Sequence, residues 1–184
     1  MNFERTPLSG AVVIEPERMA DSRGFFARTF CAREFAEHGL TTQFVQSSVS
    51  FNARAATLRG MHFQVAPHLE AKLVRCTAGA IWDAIVDLRA GSPTRLKWFA
   101  TELSAENRRA LYIPEGFAHG FITLQPNSEV FYEMNQFFAP QAARGLRWND
   151  PALGIAWPKH PEVIAERDAN YPDLDARLLA EVGS

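Results

Sequence analysis

The 184-residue chain has few cysteines and no excess of charge of one sign. Its two cysteines, Cys31 and Cys76, are too few and too far apart to indicate a disulfide framework or a zinc site, so we expect buried thiols in a reducing compartment. Lysine and arginine number 19 against 21 acidic residues. The resulting formal charge of -2 argues against nucleic-acid or membrane-surface partners, which bind through a basic excess.

Long hydrophobic runs are also missing. No apolar stretch approaches the roughly 20 residues of a membrane helix. The N-terminal residues show no apolar segment behind a basic start, so no signal peptide is expected and we predict a cytoplasmic protein with no membrane partner. A chain of 184 residues with 47% hydrophobic residues can bury a substantial core, and we predict a single domain over residues 1–184.

Short runs of β-branched and aromatic residues fill the middle of the chain, separated by turn residues, and predict strands. The predicted strands span residues 57–64, 72–77, 81–88, 97–102, 110–113, 120–124 and 129–137. Helical patterns lie near both ends, over residues 31–38 and 173–182. Many short strands at this spacing are typical of a β-sandwich or barrel rather than a doubly wound sheet.

Strict alternation along a strand predicts which side chains share a surface. On the strand that contains Asp83, it places Asp87 on the same face. On the strand that contains His62, it groups His62 with Gly60 and assigns Arg59 to the opposite face. We therefore expect basic and acidic groups to converge inside one cavity.

Two histidines lie in patterns that suit catalysis or metal binding. His62 lies inside a predicted strand, where it is either a hydrogen-bonded core residue or a neutral base able to take a proton near pH 7. The segment PEGFAHGF resembles the second motif of the cupin superfamily, which supplies His119 to the inside of a jelly-roll barrel. The first cupin motif is H-x-H in metal-binding members, but here it reads His62-Phe63-Gln64. A catalytic metal needs about three protein ligands, so no metal site is predicted.

Several cations and one tyrosine also have both a structural and a functional interpretation. Lys72, Arg23, Arg59 and Arg75 are either solvated charges at strand edges or a set of cations for a diphosphate, for which arginine has the matching geometry. Tyr132 is either a core aromatic or a buried neutral phenol with a chemical role. These residues alone do not decide between the two.

Five segments, taken in order, resemble blocks of the dTDP-4-dehydrorhamnose 3,5-epimerase family: DSRGFF, LRGMHFQ, EAKLVRCTAGAIWDAIVDLRAGSPT, ELSAENRRALYIPEGFAHGF and RGLRWNDPALGIAWP. The resemblance runs over residues 21–158, and long blocks in fixed order are far more specific than any one motif. It implies an all-β fold, a cupin-type double-stranded jelly-roll barrel with short peripheral helices near the N- and C-termini. It also implies a homodimer that needs no metal or organic cofactor.

The resemblance implies roles for individual residues. His62 matches the base that removes a proton, Tyr132 the acid that delivers one from the opposite face, and Asp168 the carboxylate that pairs with the base. Asp83 is a second candidate for that carboxylate, and Lys72 matches the lysine near the substrate ketone. Further substrate-contacting positions match Arg23, Gln46, Arg59, His119 and Arg167.

Four positions depart from residues common in the family. Arg28 stands where the family often has Glu, and Ser48 stands where Asn is common. Phe138 replaces a usual Tyr, and Ala143 a usual Glu. Arg28, Ser48 and Phe138 remain candidates for substrate binding, and the four changes leave the nucleotide, the sugar and the number of inverted carbons open.

The expected reaction is inversion of C3 and/or C5 of a nucleotide-linked 4-keto-6-deoxyhexose, of the type that converts dTDP-4-dehydro-6-deoxyglucose to dTDP-4-dehydrorhamnose. Removal of a proton beside a ketone needs a base and positive charge near the enolate oxygen. The near alternatives are a mono-epimerase acting at C3 or C5 only, or an epimerase for GDP- or CDP-linked sugars. The distant alternatives are a metal-dependent cupin oxygenase and a non-catalytic sugar-binding cupin.

Overall fold

The computed structural model describes residues 1–182 and consists mainly of short strands, with three short helices in that range. The helices are α1 (Ala32–Glu37), α2 (Glu166–Ala169) and α3 (Ala176–Val182). The strands are β1 (Asn2–Arg5), β2 (Val12–Glu15), β3 (Arg18–Asp21), β4 (Gly24–Ala27), β5 (Gln46–Asn52), β6 (Thr57–Gln64), β7 (Lys72–Ala78), β8 (Ala80–Asp87), β9 (Trp98–Ser104), β10 (Ala110–Ile113), β11 (Phe117–Thr123), β12 (Ser128–Met134), β13 (Ala143–Gly145) and β14 (Val163–Ile164). None of the helices within residues 1–182 has the length and apolar character needed to cross a bilayer.

Two large sheets face each other. The first has the order β1-β2-β10-β7-β12-β5, and the second has the order β13-β6-β11-β8-β9, with β14 added beside β6. Neighbouring strands in both sheets are antiparallel, except that β14 runs parallel to β6. Buried side chains from both sheets meet in one core, which includes Val74 and Val130 from the first sheet and Ile85 and Phe121 from the second. The predicted all-β jelly roll with short peripheral helices is confirmed.

The predicted central strands correspond to β6 to β12, with ends that differ by up to three residues. The two predicted helices are shorter than expected. The sequence patterns did not predict β1 to β5, β13, β14 or α2. Exposure explains part of this, because all four residues of β3 are exposed and six of the seven residues of β5 are exposed or only partly buried, so neither strand shows an alternation of buried and exposed positions. A strand whose faces are both open lacks the periodicity on which prediction depends.

A β-bulge at Gly60 changes which side chains of β6 share a face. His62 pairs with His119 and Arg59 pairs with Phe121, so the four residues 59–62 of β6 lie opposite only three residues, 119–121, of β11. Directly paired residues share a face. His119 and Phe121 are two residues apart and point to the same side of β11, so their partners His62 and Arg59 also lie on one face. The predicted assignment of Arg59 to the opposite face is wrong, because the extra residue breaks the alternation. Gly60 has φ +125°, and a Cβ there would lie 2.5 Å from a backbone Cα of β11, so only glycine fits.

Candidate active site

A cavity of about 390 Å³ lies between the two sheets and collects most of the predicted catalytic and binding residues. The antiparallel register of the first sheet brings the inner positions of β5, β7 and β12 side by side, and the cavity lies between them and β6. The lining residues contributed by the first sheet include Gln46, Ser48, Lys72 and Tyr132, and those contributed by the second sheet and α2 include His62, Gln64 and Arg167. Side chains that are far apart in sequence thus form one polar site.

The imidazole of His62 is held by Asp168, which is 2% exposed on α2. Nε2 of His62 lies 3.0 Å from Oδ1 of Asp168, the backbone N–H of Gly60 donates to Oδ2 at 3.0 Å, and Nε of Arg167 donates to Oδ1 at 3.2 Å. Burial alone raises the pKa of Asp168, but the hydrogen bonds from His62, Gly60 and Arg167 outweigh it and hold that pKa below its usual value. An ionised carboxylate only accepts hydrogen bonds, so Nε2 carries the hydrogen of the neutral ring and Nδ1 carries the lone pair of a base.

The phenol of Tyr132 enters the same cavity from the facing sheet. Burial raises the pKa of Tyr132 far above its usual value, a hydrogen bond with Ser50 and the charge of Arg59 lower it in part, and the charge of Asp83 adds to the rise. Tyr132 is therefore a neutral phenol with a proton to donate. The base candidate and the acid candidate lie on opposite walls.

The ammonium group of Lys72 lies in the cavity beside a carboxylate that the sequence patterns did not identify. Nζ of Lys72 is 2.9 Å from Oε1 of Glu70, and both side chains are 12% exposed. Glu70 precedes Lys72 by two residues, a spacing that puts both side chains on one face of an extended chain. The spacing could have revealed the pair once residue 72 was assigned to a strand.

Asp83 lies on the inner face of β8, as the alternation predicted, but its partner is different. Oδ1 of Asp83 is 2.7 Å from Nε2 of His119, and both side chains are buried. The ring of His119 meets the ring of Tyr132 edge to face at 6.1 Å. The second candidate assignment, in which Asp83 pairs with His62, is corrected: strand register brings Asp83 next to His119, while Asp168 occupies the position beside His62.

The structure brings together some of the predicted substrate-contacting residues but not all. Gln46, Ser48, Phe138, Ala143 and Arg167 line the cavity. Arg59 lies at the open edge between the sheets, where its Nε donates to Oδ1 of Asn52 at 2.7 Å.

Arg23 and Arg28 lie outside the cavity of their own chain. Arg23 is at the turn of the two-stranded β3–β4 hairpin, 87% exposed, and pairs with Asp21 at 2.6 Å. Arg28 follows the hairpin, is 61% exposed and lies 3.5 Å from a carboxylate oxygen of Glu34. The hairpin pairs with neither large sheet, and the structure of one chain does not bring either arginine to the cavity, so their predicted contact with the substrate stays a prediction.

Three further residues lie in the cavity. Alternation places Gln64 on the face of His62, whereas no sequence pattern identified Arg144 or Tyr171. Gln64, Arg144 and Tyr171 line the cavity, and the ring of Tyr171 meets the ring of His62 edge to face at 5.9 Å. Tyr171 lies in a segment without periodic pattern after the last strand, so no sequence feature pointed to it. Among residues 1–182, no group of three or more histidine, cysteine or acidic side chains is arranged to hold a metal ion.

Comparison with known proteins identifies relatives of this chain. The family model for dTDP-4-dehydrorhamnose 3,5-epimerase matches residues 5–176. A dTDP-4-dehydrorhamnose 3,5-epimerase of Sinorhizobium fredii is 41% identical over 175 residues, which cover 95% of this chain and 90% of the relative. The crystal structure of the Legionella pneumophila dTDP-6-deoxy-D-glucose-3,5-epimerase in complex with dTDP-4-keto-L-rhamnose has a TM-score of 0.89 and 36% identity, with 96% of each chain covered.

A structure with a narrower activity is also similar. ChmJ, a 3'-monoepimerase from Streptomyces bikiniensis in complex with dTDP-quinovose, has a TM-score of 0.89 and 31% identity over 98% of this chain and 92% of that chain. The same fold therefore occurs in epimerases that are named for one and for two carbon centres. From the match over residues 5–176 and the identity along almost the whole chain, the protein belongs to the dTDP-4-dehydrorhamnose 3,5-epimerase family of isomerases.

Proposed function

We propose that the protein inverts C3 and C5 of a dTDP-linked 4-keto-6-deoxyhexose. One observation carries the proposal: a carboxylate-held imidazole and a neutral phenol line a single cavity from facing sheets. Inversion at a carbon requires removal of a proton from one face and its replacement from the other, so two groups on opposite walls suit the reaction. The family membership supplies the substrate class.

Each inversion moves two protons. Nδ1 of His62 takes the proton from the carbon beside the ketone, and the electron pair of the broken C–H bond moves toward the ketone oxygen to give an enolate. Tyr132 then gives its phenol proton to the opposite face of that carbon, and the ketone forms again. Asp168 stabilises the imidazolium that forms. A general base such as His62 or a general acid such as Tyr132 typically contributes about 10²–10⁴-fold to the rate.

Lys72 is the group proposed to stabilise the enolate oxygen. Its ammonium lies in the same cavity as His62 and Tyr132 and is mostly shielded from water, where a positive charge is worth more than at the surface. The remaining residues proposed to contact the substrate in this chain are Gln46, Ser48, Arg59, His119, Phe138 and Arg167.

We also propose that the protein is a homodimer. The β3–β4 hairpin exposes Met19, Phe25 and Phe26, with 61%, 44% and 65% of each side chain accessible. An exposed apolar group of this size suits coverage by a second copy. Arg23 in the hairpin turn and Arg28 just after the hairpin would then contact the substrate of the partner. Light scattering should show a dimer for the natural chain and a monomer for Phe26→Asp, whereas a natural chain that is monomeric at all concentrations contradicts the homodimer.

The chain is further proposed to act as one domain over residues 1–184, in the cytoplasm, without a metal or organic cofactor. Cys31 and Cys76 are free thiols, which suits a reducing compartment. The proton transfers above use only side chains of the chain itself. Turnover that survives prolonged dialysis against a chelator supports the cofactor-free reaction, and turnover that is lost and then restored by a metal contradicts it.

Incubation of 4-keto-6-deoxyhexoses linked to dTDP, GDP and CDP in deuterated water tests the function directly. We expect deuterium at both C3 and C5 of the dTDP sugar, with the product inverted at both carbons. The similarity to a 3'-monoepimerase and the changes at Ser48, Phe138 and Ala143 favour inversion at one carbon as the second candidate, which predicts deuterium at that carbon only. No incorporation from any of the three sugars would contradict the proposal.

A further inference from the structure

Glu70 is a carboxylate in the cavity that has no part in the proposed reaction. Its Oε1 lies 2.9 Å from Nζ of Lys72, and each side chain is only 12% exposed. Both groups line the cavity that holds His62 and Tyr132. A charge pair this shielded from water is screened less than one on the surface, so its loss has a larger effect.

The carboxylate of Glu70 is fixed in place by neighbouring residues. Its Oε2 lies 3.4 Å from the amide nitrogen of Gln64, and the side-chain oxygen of Gln64 in turn accepts the backbone N–H of Ala139 at 2.6 Å. The residue after Glu70 is held as well, because the N–H of Ala71 donates to Oδ1 of Asn135 at 2.7 Å. Glu70 is therefore a fixed point, whereas the side chain of a lysine has four rotatable bonds and much conformational freedom to lose.

The other charges around the cavity make a partner for Lys72 necessary. In the part of the chain that the structure describes, three cationic side chains line the cavity, and each contacts a carboxylate. The pairs are Lys72–Glu70, Arg144–Glu181 and Arg167–Asp168. Arg144 is 34% exposed and Arg167 is 70% exposed, so Lys72 is the most buried of the three. Without Glu70, the cation in the most buried position of the three would be the one that lacks its carboxylate partner.

We propose that Glu70 is a positioning residue that holds the ammonium of Lys72 at the place where the enolate oxygen forms. This inference rests on the proposed function, since it assigns Glu70 to the reaction through Lys72. Glu70 itself takes and gives no proton in the reaction. Its carboxylate restricts Lys72 before the substrate arrives, and the ammonium then donates to the oxygen without having to be ordered in each turnover.

The first test needs no substrate. Lys72 is one of three lysines in the chain, with Lys97 and Lys159, so a trace amount of an amine-acetylating reagent and peptide mass spectrometry can follow all three. An amine reacts faster when it is free to move and accessible to the reagent. We expect Glu70→Gln to raise the labelling rate of Lys72 about tenfold relative to Lys97 and Lys159, as the loss of a charge pair of ordinary strength would do. Glu37→Gln, the same change at an exposed site on α1, should leave the three rates unchanged.

The second test is a double-mutant cycle on turnover, with Glu70→Gln, Lys72→Met and the two combined. Glu70→Gln should lower kcat about tenfold through misplacement of the ammonium, with KM nearly unchanged. In the Lys72→Met protein the same change at Glu70 should have an effect of less than about twofold, because Glu70 acts only through Lys72. A purely structural role of Glu70 would instead lower kcat by the same factor in both proteins.

Glu70→Asp is a second variant in case Glu70→Gln does not fold. It keeps the negative charge but moves the carboxylate away from Lys72, so the labelling rate of Lys72 and kcat should lie between those of the natural chain and Glu70→Gln. Lys72 labelling that is the same in the natural chain, Glu70→Gln and Glu70→Asp would overturn the inference. Equal kinetic losses with and without Lys72 would overturn it too. If the natural chain exchanges no proton on any sugar nucleotide, the proposed function fails, and the labelling rates still decide whether Glu70 holds Lys72.

Discussion

Replacement of Asp168 by asparagine is the change whose effect the structure defines most closely. The side chain keeps its size, so the packing around its 2% exposed position is preserved. The buried backbone N–H of Gly60 needs an acceptor at 3.0 Å, whereas the side chain of Arg167 is 70% exposed and can turn to water. Gly60 will therefore take the amide oxygen, which turns the amide nitrogen toward His62. That nitrogen donates to Nε2 of His62, and the ring then carries its hydrogen on Nδ1. The nitrogen that faces the substrate has no lone pair with which to take a proton.

The size of the loss follows from the distance between the two groups. At 3.0 Å between Nε2 of His62 and Oδ1 of Asp168, with an effective dielectric constant of about 20, the attraction of imidazolium and carboxylate is about 5.5 kcal/mol. The imidazole is 34% exposed, and solvent screening reduces this to about 3–4 kcal/mol. That range corresponds to about 10²–10³-fold in rate. The wrong tautomer adds to it, so we expect kcat to fall by about 10³–10⁴-fold, within the range known for such carboxylate-to-amide changes.

Deuterium incorporation at C3 and C5, followed by mass spectrometry, measures the loss down to very slow rates. Asp173→Asn is the matched control, because Asp173 is an exposed aspartate paired with Arg147 outside the cavity. It should retain the turnover of the natural chain. A folded Asp168→Asn protein with kcat within about tenfold of the natural chain, less than one and a half kcal/mol of barrier, would refute the assignment of Asp168 as the partner of the base.

Three further outcomes follow from the structure. Tyr132→Phe removes the acid but not the base, so the substrate should still exchange its proton with deuterated water without inversion; inverted product at the natural rate would contradict the role of the phenol. Gly60→Ala should cost about 3 kcal/mol or more of the free energy of unfolding, measured in urea, because of its positive φ and the 2.5 Å contact, whereas Gly91→Ala, with open space around it, should cost little. For buried Asp87, burial alone raises the pKa, but hydrogen bonds from Arg89 and its neighbours outweigh burial and lower the native pKa. Because the native pKa lies below that of the unfolded chain, this stabilisation is present above about pH 4 and is lost as the pH falls through the native value. Urea unfolding above and below that range should therefore show that the free energy of unfolding falls less on acidification in Asp87→Asn than in the natural chain.

The strands that sequence patterns predicted are those with a buried face. β6 and β8 place most of their residues against the core, and their apolar residues are the signal from which a strand is predicted. The exposed strands β3 and β5 have no such pattern, since their positions depend on pairing with other strands and not on their own burial. Local sequence therefore defined the centre of the jelly roll and missed most of its edges. It also missed β2, which is buried inside the first sheet but only four residues long.

The site shows the same division. His62 and Asp168 are separated by 106 residues and meet only because α2 packs beside the bulge of β6. No spacing rule predicts such a contact, and only the family resemblance pointed to Asp168. The bulge at Gly60 also could not be read from alternation, because an inserted residue changes every face beyond it. Glu70 is the opposite case, since its spacing from Lys72 was visible in the sequence.

The central claim is that an imidazole and a phenol face each other across the sugar ring. A crystal structure of the protein with a dTDP-linked 4-keto-6-deoxyhexose, or with a stable analogue of it, tests this claim most directly. We expect Nδ1 of His62 and the phenol oxygen of Tyr132 to lie within about 3.5 Å of the carbons beside the ketone, on opposite faces of the ring. A bound sugar with both groups on the same face, or with either group pointing out of the cavity, would contradict the mechanism.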